Sequence, residues 1–306
     1  MLGRLLRAAA IGGLLTLVAG VFEGACAQSL HVEVFAGGFA SVNSFIFSNG
    51  KSLTVLDVQR KSREAERLAD IVRSKRLPLT HILISHGHTD HFTGMAVFQR
   101  EFPGAQIVVA NEAIKRDIKA YAIYMGSGGE TGAEPSLERA LRPRSGDNPA
   151  GFDYEHAIHV LSGRELLLEG GGTLELSSDY PPTEAPHMTT VYCKELNALF
   201  LADLGYNRVH LWLGDDISRA RIAAWRAQLL RLKSTYAGLN PKVYPGHGPP
   251  SDMTLFDATI GYLDDFVRIT SAAKSRQEAF KAMRALYPAY KEADFFLKYS
   301  VERHVP

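Results

Sequence analysis

The chain has 306 residues, of which 46% are hydrophobic and 22% charged, and its formal net charge is +1. That length and balance suit a soluble globular protein with a core large enough to need no disulfide. With a near-neutral net charge, nothing in the composition points to nucleic acid or to an anionic membrane surface.

The first residues read as an export signal. Arg4 and Arg7 precede the uncharged apolar run Ala8–Val21, and Ala25-Cys26-Ala27 forms an A-x-A cleavage pattern. Residues 1–27 are therefore expected to be a signal peptide, with an uncleaved N-terminal anchor as the alternative. The apolar run is shorter than the ~20 residues of a spanning helix. The mature chain, 28–306, would then be periplasmic and formally neutral, with no stable membrane association. It would keep one cysteine, Cys193, and so have no internal disulfide. Cys193 lies in the strand-like Thr190-Val191-Tyr192-Cys193, where a small buried residue is the favoured reading over a metal ligand.

Strand-like segments follow at His31–Phe35, Asn43–Phe47 and Leu53–Asp57, with a hairpin signal at Asn49-Gly50. The period changes over Ser62–Arg76, where Leu68, Ile71 and Val72 share a helical face and Pro78 closes the element. Thr80–Ser85 is a short buried strand, a helix is expected from Thr93 to about Phe102, and Ile107–Ala110 is another strand. This alternation predicts an α/β protein with helices covering sheet faces.

Residues 126–151 are rich in glycine and proline and read as a long connection, either a lid over a site or a surface insertion. Strands resume at Thr173–Ser177, Thr189–Tyr192 and Ala198–Leu201. A helix fits Ser218–Leu232, and Lys242–Tyr244 is a short strand. The C-terminal part, 251–306, is helical, with a Ser275/Glu278 capping box before a second helix. No linker splits residues 28–306 into separate domains.

The chemistry concentrates in His86-Gly87-His88-Thr89-Asp90-His91, directly after the Thr80–Ser85 strand. Two histidines two apart in an extended segment point the same way, which suits one metal. Asp90 and His91, beyond the turn, can face a second. Imidazole and carboxylate together suit zinc or iron. The spacing is not the H-E-x-x-H of helical zinc proteases.

The motif resembles the metallo-β-lactamase superfamily, whose signature H-x-H-x-D-H is followed by separated His, Asp and His. His187 in Ala185-Pro186-His187-Met188-Thr189, Asp203 after the apolar Leu199–Ala202, and His247 in Pro245-Gly246-His247-Gly248 match in order. The family usually has Gly before that Asp, and Ala202 departs from it. The resemblance covers roughly residues 31–250. It implies a four-layer αββα sandwich and two metal ions: one held by His86, His88 and His187, the other by Asp90, His91 and His247, with Asp203 bridging. Asp203 as a helix cap and His187 as a loop histidine are the competing readings.

The implied cofactors are two Zn2+ ions, with iron or manganese also compatible. The implied activity is hydrolysis of a small carbonyl substrate (ester, thioester or lactone) by a metal-bridging hydroxide, with Asp90 orienting the nucleophile and passing a proton. A bridging Asp points toward glyoxalase II-like and lactonase-like members, whereas export points toward periplasmic β-lactam hydrolysis. An iron-dependent persulfide dioxygenase-like enzyme and a non-enzymatic metal-bound binding protein are the readings of other classes. Tyr121, Tyr124, Met125, Tyr206, Asn207, His210 and Trp212 are the candidate pocket residues. The oligomeric state is not legible.

Overall fold

The computed structural model describes residues 29–128, 137–214, 217–290 and 294–306. The expected signal peptide, 1–27, and part of the expected lid lie outside them.

Two sheets form the centre. The first has the order β1 (His31–Ala36), β2 (Asn43–Ser48), β3 (Leu53–Leu56), β4 (Leu79–Leu83), β5 (Gln106–Val109) and β6 (Ile158–Val160). Pairing is antiparallel from β1 to β3 and parallel from β3 to β6. The second sheet runs β11 (Lys242–Tyr244), β10 (Ala198–Phe200), β9 (Thr190–Cys193), β8 (Thr173–Ser177) and β7 (Glu165–Leu167). Parallel strands buried on both faces require near-continuous apolar runs, which is why Ile82-Leu83-Ile84 has no polar alternation.

Alternate residues of each strand serve different layers. Phe45, Phe47, Leu56, Leu83 and Val108 point to the second sheet and meet Leu174, Val191, Cys193, Phe200 and Tyr244. Phe200 stacks on Tyr244, and Phe45 meets both edge-on. On the outer face of the first sheet, Ile46, Val55, Ile82 and Ile107 pack on α1 (Ser62–Ser74), α3 (Met95–Glu101) and α4 (Glu112–Gly126) through Leu68, Val72, Phe98, Ile114 and Ile118. On the outer face of the second sheet, Leu199 and Val243 pack under α5 (Arg219–Tyr236), α6 (Thr254–Ala272), α7 (Arg276–Leu286) and α8 (Asp294–His304). The result is the expected αββα arrangement, with three cores stacked between four layers. Cys193 lies in the inter-sheet core, and burial pushes its thiol up to about 11. Among the described residues, no helix is long and apolar enough to cross a membrane.

Three differences from the sequence reading bear on the site. The helix expected from Thr93 to Phe102 is α3, and a separate short helix, α2 (Thr89–Phe92), precedes it, the two parted where the Gly94 N–H turns away to the Gln59 carbonyl. A fifteen-residue helix, α4, occupies 112–126, capped by the Asn111 side chain on the Ile114 N–H. Among its described residues the C-terminal part carries three helices rather than two. The Ser275 cap does accept from the Glu278 N–H.

None of the described residues of the 126–151 connection lines the pocket identified below. Glu138 accepts from the Ser62 N–H at 3.3 Å, and Tyr154 donates to the Leu141 carbonyl at 2.6 Å. Residues 129–136 lie outside the described residues.

Candidate metal centre

All the donor-bearing loops meet at one end of the sandwich. Residues 86–91 follow β4, Asp203 follows β10, His247 follows β11, and Glu184 precedes β9. Two groups of ligand atoms converge there: His86, His88, Glu184 and Asp203 in one, and Asp90, His91 and His247 in the other. Within each group the atoms lie within 4.8 Å of one another.

The rings are aimed from behind. Asp57, at the end of β3, accepts from the Ser85 N–H (2.8 Å), the Ser85 hydroxyl (2.7 Å) and His91 Nδ1 (2.8 Å). Since the Ser85 proton goes to Asp57, its oxygen accepts from His86 Nδ1 at 2.9 Å. His247 Nδ1 donates to the Ala40 carbonyl at 2.8 Å. Each ring thus has its Nδ1 proton committed to the protein, leaving the Nε2 lone pair pointing into the cluster. The turn carrying His247 is clamped by Asn43, which donates to the carbonyls of Pro245 and Gly248.

Two backbone positions make this packing possible. A Cβ on Gly246 would lie 2.0 Å from Asp203 Oδ1 and 2.8 Å from the Ala202 backbone. A Cβ on Gly87 would lie 2.9 Å from the Asp117 side chain and 3.1 Å from the α4 backbone. Ala202 itself sits at φ 45°, in the region glycine favours, which explains why its family counterpart is usually Gly.

The spacing fits metal ions. Two donors about 2.0–2.1 Å from a tetrahedral zinc ion stand roughly 3.3 Å apart. Here His91 Nε2 is 3.2 Å from Asp203 Oδ1, and His247 Nε2 is 3.2 Å from Asp203 Oδ2 and 3.4 Å from Asp90 Oδ2. His86 Nε2 is 3.6 Å from Asp203 Oδ2, and His88 Nδ1 is 3.1 Å from Glu184 Oε1. Asp203 therefore touches donors of both groups. The Nε2 atoms of His86 and His91, Asp203 Oδ1 and Glu184 Oε2 are buried without a hydrogen-bond partner. So many orphaned polar atoms facing one point are costly in a folded protein unless a cation joins them. Burial disfavours the charged forms of Asp203 and His91, but their opposite charges prevail. Asp203 is held well below the usual carboxylate range by His91, His247 and His86, and His91 well above its ordinary value by Asp203, Asp57 and Asp90. For His86 burial prevails, and its value is lowered.

The structure brings together six of the seven sequence-predicted ligands and not the seventh. His187 stands apart, with its Nδ1 2.8 Å from Asp117 Oδ2 and its side chain 41% exposed. The inward position in that loop belongs to Glu184, whose side chain is fully buried. The physical reason is the path of the loop. Arg221 of α5 donates to the carbonyls of Thr183 and Glu184 at 2.9 and 3.1 Å, which turns the Glu184 side chain toward His88. Asp57 and Glu184 are the functional residues the sequence reading missed. Asp57 looked like the polar end of a strand, and Glu184 had no motif of its own.

A pocket of about 270 Å3 opens beside His88, lined by Tyr121, Tyr124, Trp212, Asp117 and Arg221 among others. Tyr121 and Tyr124 stack with centroids 5.8 Å apart. Of the other expected pocket residues, Tyr206 is buried, donates to Asp203 Oδ2 at 3.0 Å and stacks on His247. Asn207 bonds the Pro249 carbonyl. His210 is buried against Tyr262 and Tyr290, and burial pulls it down to about 4. Met125 is not among the lining residues.

A four-layer sandwich with two His–carboxylate groups between its strand ends defines a metal-binding fold. The family model described as the metallo-beta-lactamase superfamily matches residues 37–286, and the chain belongs to that superfamily. Curated proteins give no match to this sequence. Many solved structures share the fold, three metallo-beta-lactamases among them. A metallo-beta-lactamase from Pontibacter korlensis is 17% identical, with 78% of this chain and 95% of that one covered and a TM-score of 0.51. The B3 metallo-beta-lactamase BLEG-1 is 16% identical, with 76% and 99% covered and a TM-score of 0.54. FIM-1 from Pseudomonas aeruginosa, in its mono-zinc form, is 16% identical, with 77% and 90% covered and a TM-score of 0.50.

Proposed function

We propose that this protein is a dinuclear metal hydrolase, zinc being the first candidate cation, acting on a small carbonyl substrate: an ester, thioester or lactone. The observation that carries the reading is the convergence of two ligand groups on Asp203, which reaches His86 on one side and His91 and His247 on the other. Two bound cations would supply a water activated near neutral pH and a Lewis acid for the carbonyl oxygen.

The chain's own residues supply the rest. Asp90, 6% exposed and 3.4 Å from His247 Nε2, would orient the attacking water and carry its proton to the leaving atom. Tyr206 fixes the Asp203 carboxylate through its hydroxyl. Tyr121, Tyr124 and Trp212 offer flat apolar walls for the acyl or leaving portion of the substrate. Asp57 and Ser85 hold the imidazoles in the tautomer that presents Nε2.

β-Lactam hydrolysis ranks second, favoured by the expected export to the periplasm rather than by any feature of the pocket. The zinc-loaded protein should be assayed against a β-lactam, a lactone, a thioester and a phosphodiester, with its metal content measured alongside. Turnover of the thioester or lactone with two zinc ions per chain is the expected result. One iron per chain with oxygen uptake would overturn it in favour of the dioxygenase-like reading.

A further inference from the structure

We propose that Glu184, not His187, is the third protein ligand of the metal held by His86 and His88. This deepens the hydrolase reading and rests on its premise that the centre binds two divalent cations.

Four observations converge. The Glu184 side chain is fully buried, and its Oε2 has no hydrogen-bond partner. A buried carboxylate oxygen left in that state is costly unless a cation faces it. Its two oxygens face the two histidines in question: Oε1 lies 3.1 Å from His88 Nδ1 and Oε2 lies 4.0 Å from His86 Nε2. A simple ion pair with His88 would satisfy Oε1 and leave Oε2 and His86 Nε2 facing each other unpartnered.

The backbone fixes that carboxylate in place. The Thr183 N–H donates to the Ala185 carbonyl, and Arg221 bonds the carbonyls of Thr183 and Glu184 from α5. His187, by contrast, is not among the converging donors. Its Nδ1 is tied to Asp117, and Asp117 is pinned by the close approach of Gly87 to α4. Pairing through Nδ1 does not by itself exclude a ligand, as His91 shows, but the His187 side chain is 41% exposed and outside the converging group, whereas Glu184 is fully buried within it.

The centre therefore carries three carboxylates (Asp90, Glu184 and Asp203) with four imidazoles (His86, His88, His91 and His247). An anionic oxygen donor in place of a third neutral imidazole makes the first cation a harder, more charge-compensated site. It also leaves His187 and Asp117 at the edge of the pocket, outside the coordination sphere.

The test counts ions. The full-length mature protein, its Glu184→Gln variant and its His187→Ala variant are dialysed against buffered Zn2+, and bound zinc is measured per chain, with circular dichroism as the folding control. Glu184→Gln should lose one of two ions, with affinity at that site down by more than about 100-fold, the upper end of what loss of a mere supporting contact produces. His187→Ala should keep both. Because Glu184→Gln removes a buried charge and could disturb folding, Co2+ substitution of the His187→Ala protein gives an independent readout. Its d–d absorption should match that of the wild type.

Loss of an ion or an altered cobalt spectrum in His187→Ala overturns the assignment, as does a folded Glu184→Gln protein that retains both ions. Such a protein that still hydrolysed its substrate would leave the hydrolase reading standing. Conversely, ion counts as expected without turnover of any substrate would sink the hydrolase reading and leave Glu184 as the ligand.

Discussion

Two histidine–aspartate pairs in this molecule have the same length and opposite settings. His91 and Asp57 meet at 2.8 Å with side chains 0% and 3% exposed, and His187 and Asp117 meet at 2.8 Å with 41% and 24% exposed. Distance alone does not separate them; surroundings do. Asp57 also holds Ser85 by two bonds, and Ser85 holds His86, so one carboxylate orients a histidine of each donor group. The Asp117 carboxylate holds His187, a ring that is not among the converging donors. A His–Asp pair aims a metal ligand only when the ring's second nitrogen has somewhere buried to point.

The strongest way to break the buried side of this contrast is Gly246→Ala. Its Cβ would collide with Asp203 and with the Ala202 backbone, neither of which is a flexible chain end. The expected result is a loss of about 3 kcal/mol or more in denaturant unfolding, the upper range for overpacking, together with loss of both ions. Asp57→Ala comes next. It strands the Ser85 N–H and the His91 Nδ1 proton in the core, at about 1–3 kcal/mol for an unsatisfied buried group. Metal affinity should fall roughly 10–100-fold, the range for loss of an outer partner, as read by zinc titration. An Asp57→Ala protein that bound zinc as tightly as the wild type would remove the distinction between the two pairs.

A smaller effect sharpens the picture at Asp203, where the two donor groups join. Ala202 precedes it at φ 45° and is only 5% exposed. The left-handed conformation costs a non-glycine residue roughly 1–2 kcal/mol, and the extra unfolded-state freedom of glycine returns about 0.4–1 kcal/mol of that. Ala202→Gly should therefore stabilise the fold by about 0.5–1 kcal/mol, seen as a raised unfolding midpoint, with the zinc count unchanged.

What the sequence disclosed follows the same physics. Residues 86–91 were legible because contiguous ligands on one strand end leave a dense local pattern, and His247 because Pro245-Gly246 and Gly248 mark its turn. The residues alone gave an α/β alternation, with buried strands such as Ile82-Leu83 serving two different cores, and the αββα layering came from the family resemblance. Three features were not legible. Asp57 acts at a distance, through Ser85 and His91, and carries no motif. The α4 helix has mixed polarity, with only Ile114, Ile118 and Ala122 buried, so its apolar stripe is thin. Glu184 and His187 sit three residues apart on one loop, and the side chain that turns inward is decided by Arg221, 37 residues further on. The family pattern chose the histidine, and a contact from another element chose the glutamate.

Asp117→Ala tests the exposed pair directly. The substitution frees the His187 ring and removes a carboxylate from the pocket wall. A partly exposed ion pair contributes little, so unfolding should shift by no more than about 1 kcal/mol. Zinc titration should be indistinguishable from wild type, because neither Asp117 nor His187 supports a ring aimed at the cluster. Any change should fall on KM, since Asp117 lines the pocket beside Tyr121 and Tyr124. A drop in bound zinc would mean that the pair orients a ligand after all, and that the two His–Asp pairs differ in exposure but not in role.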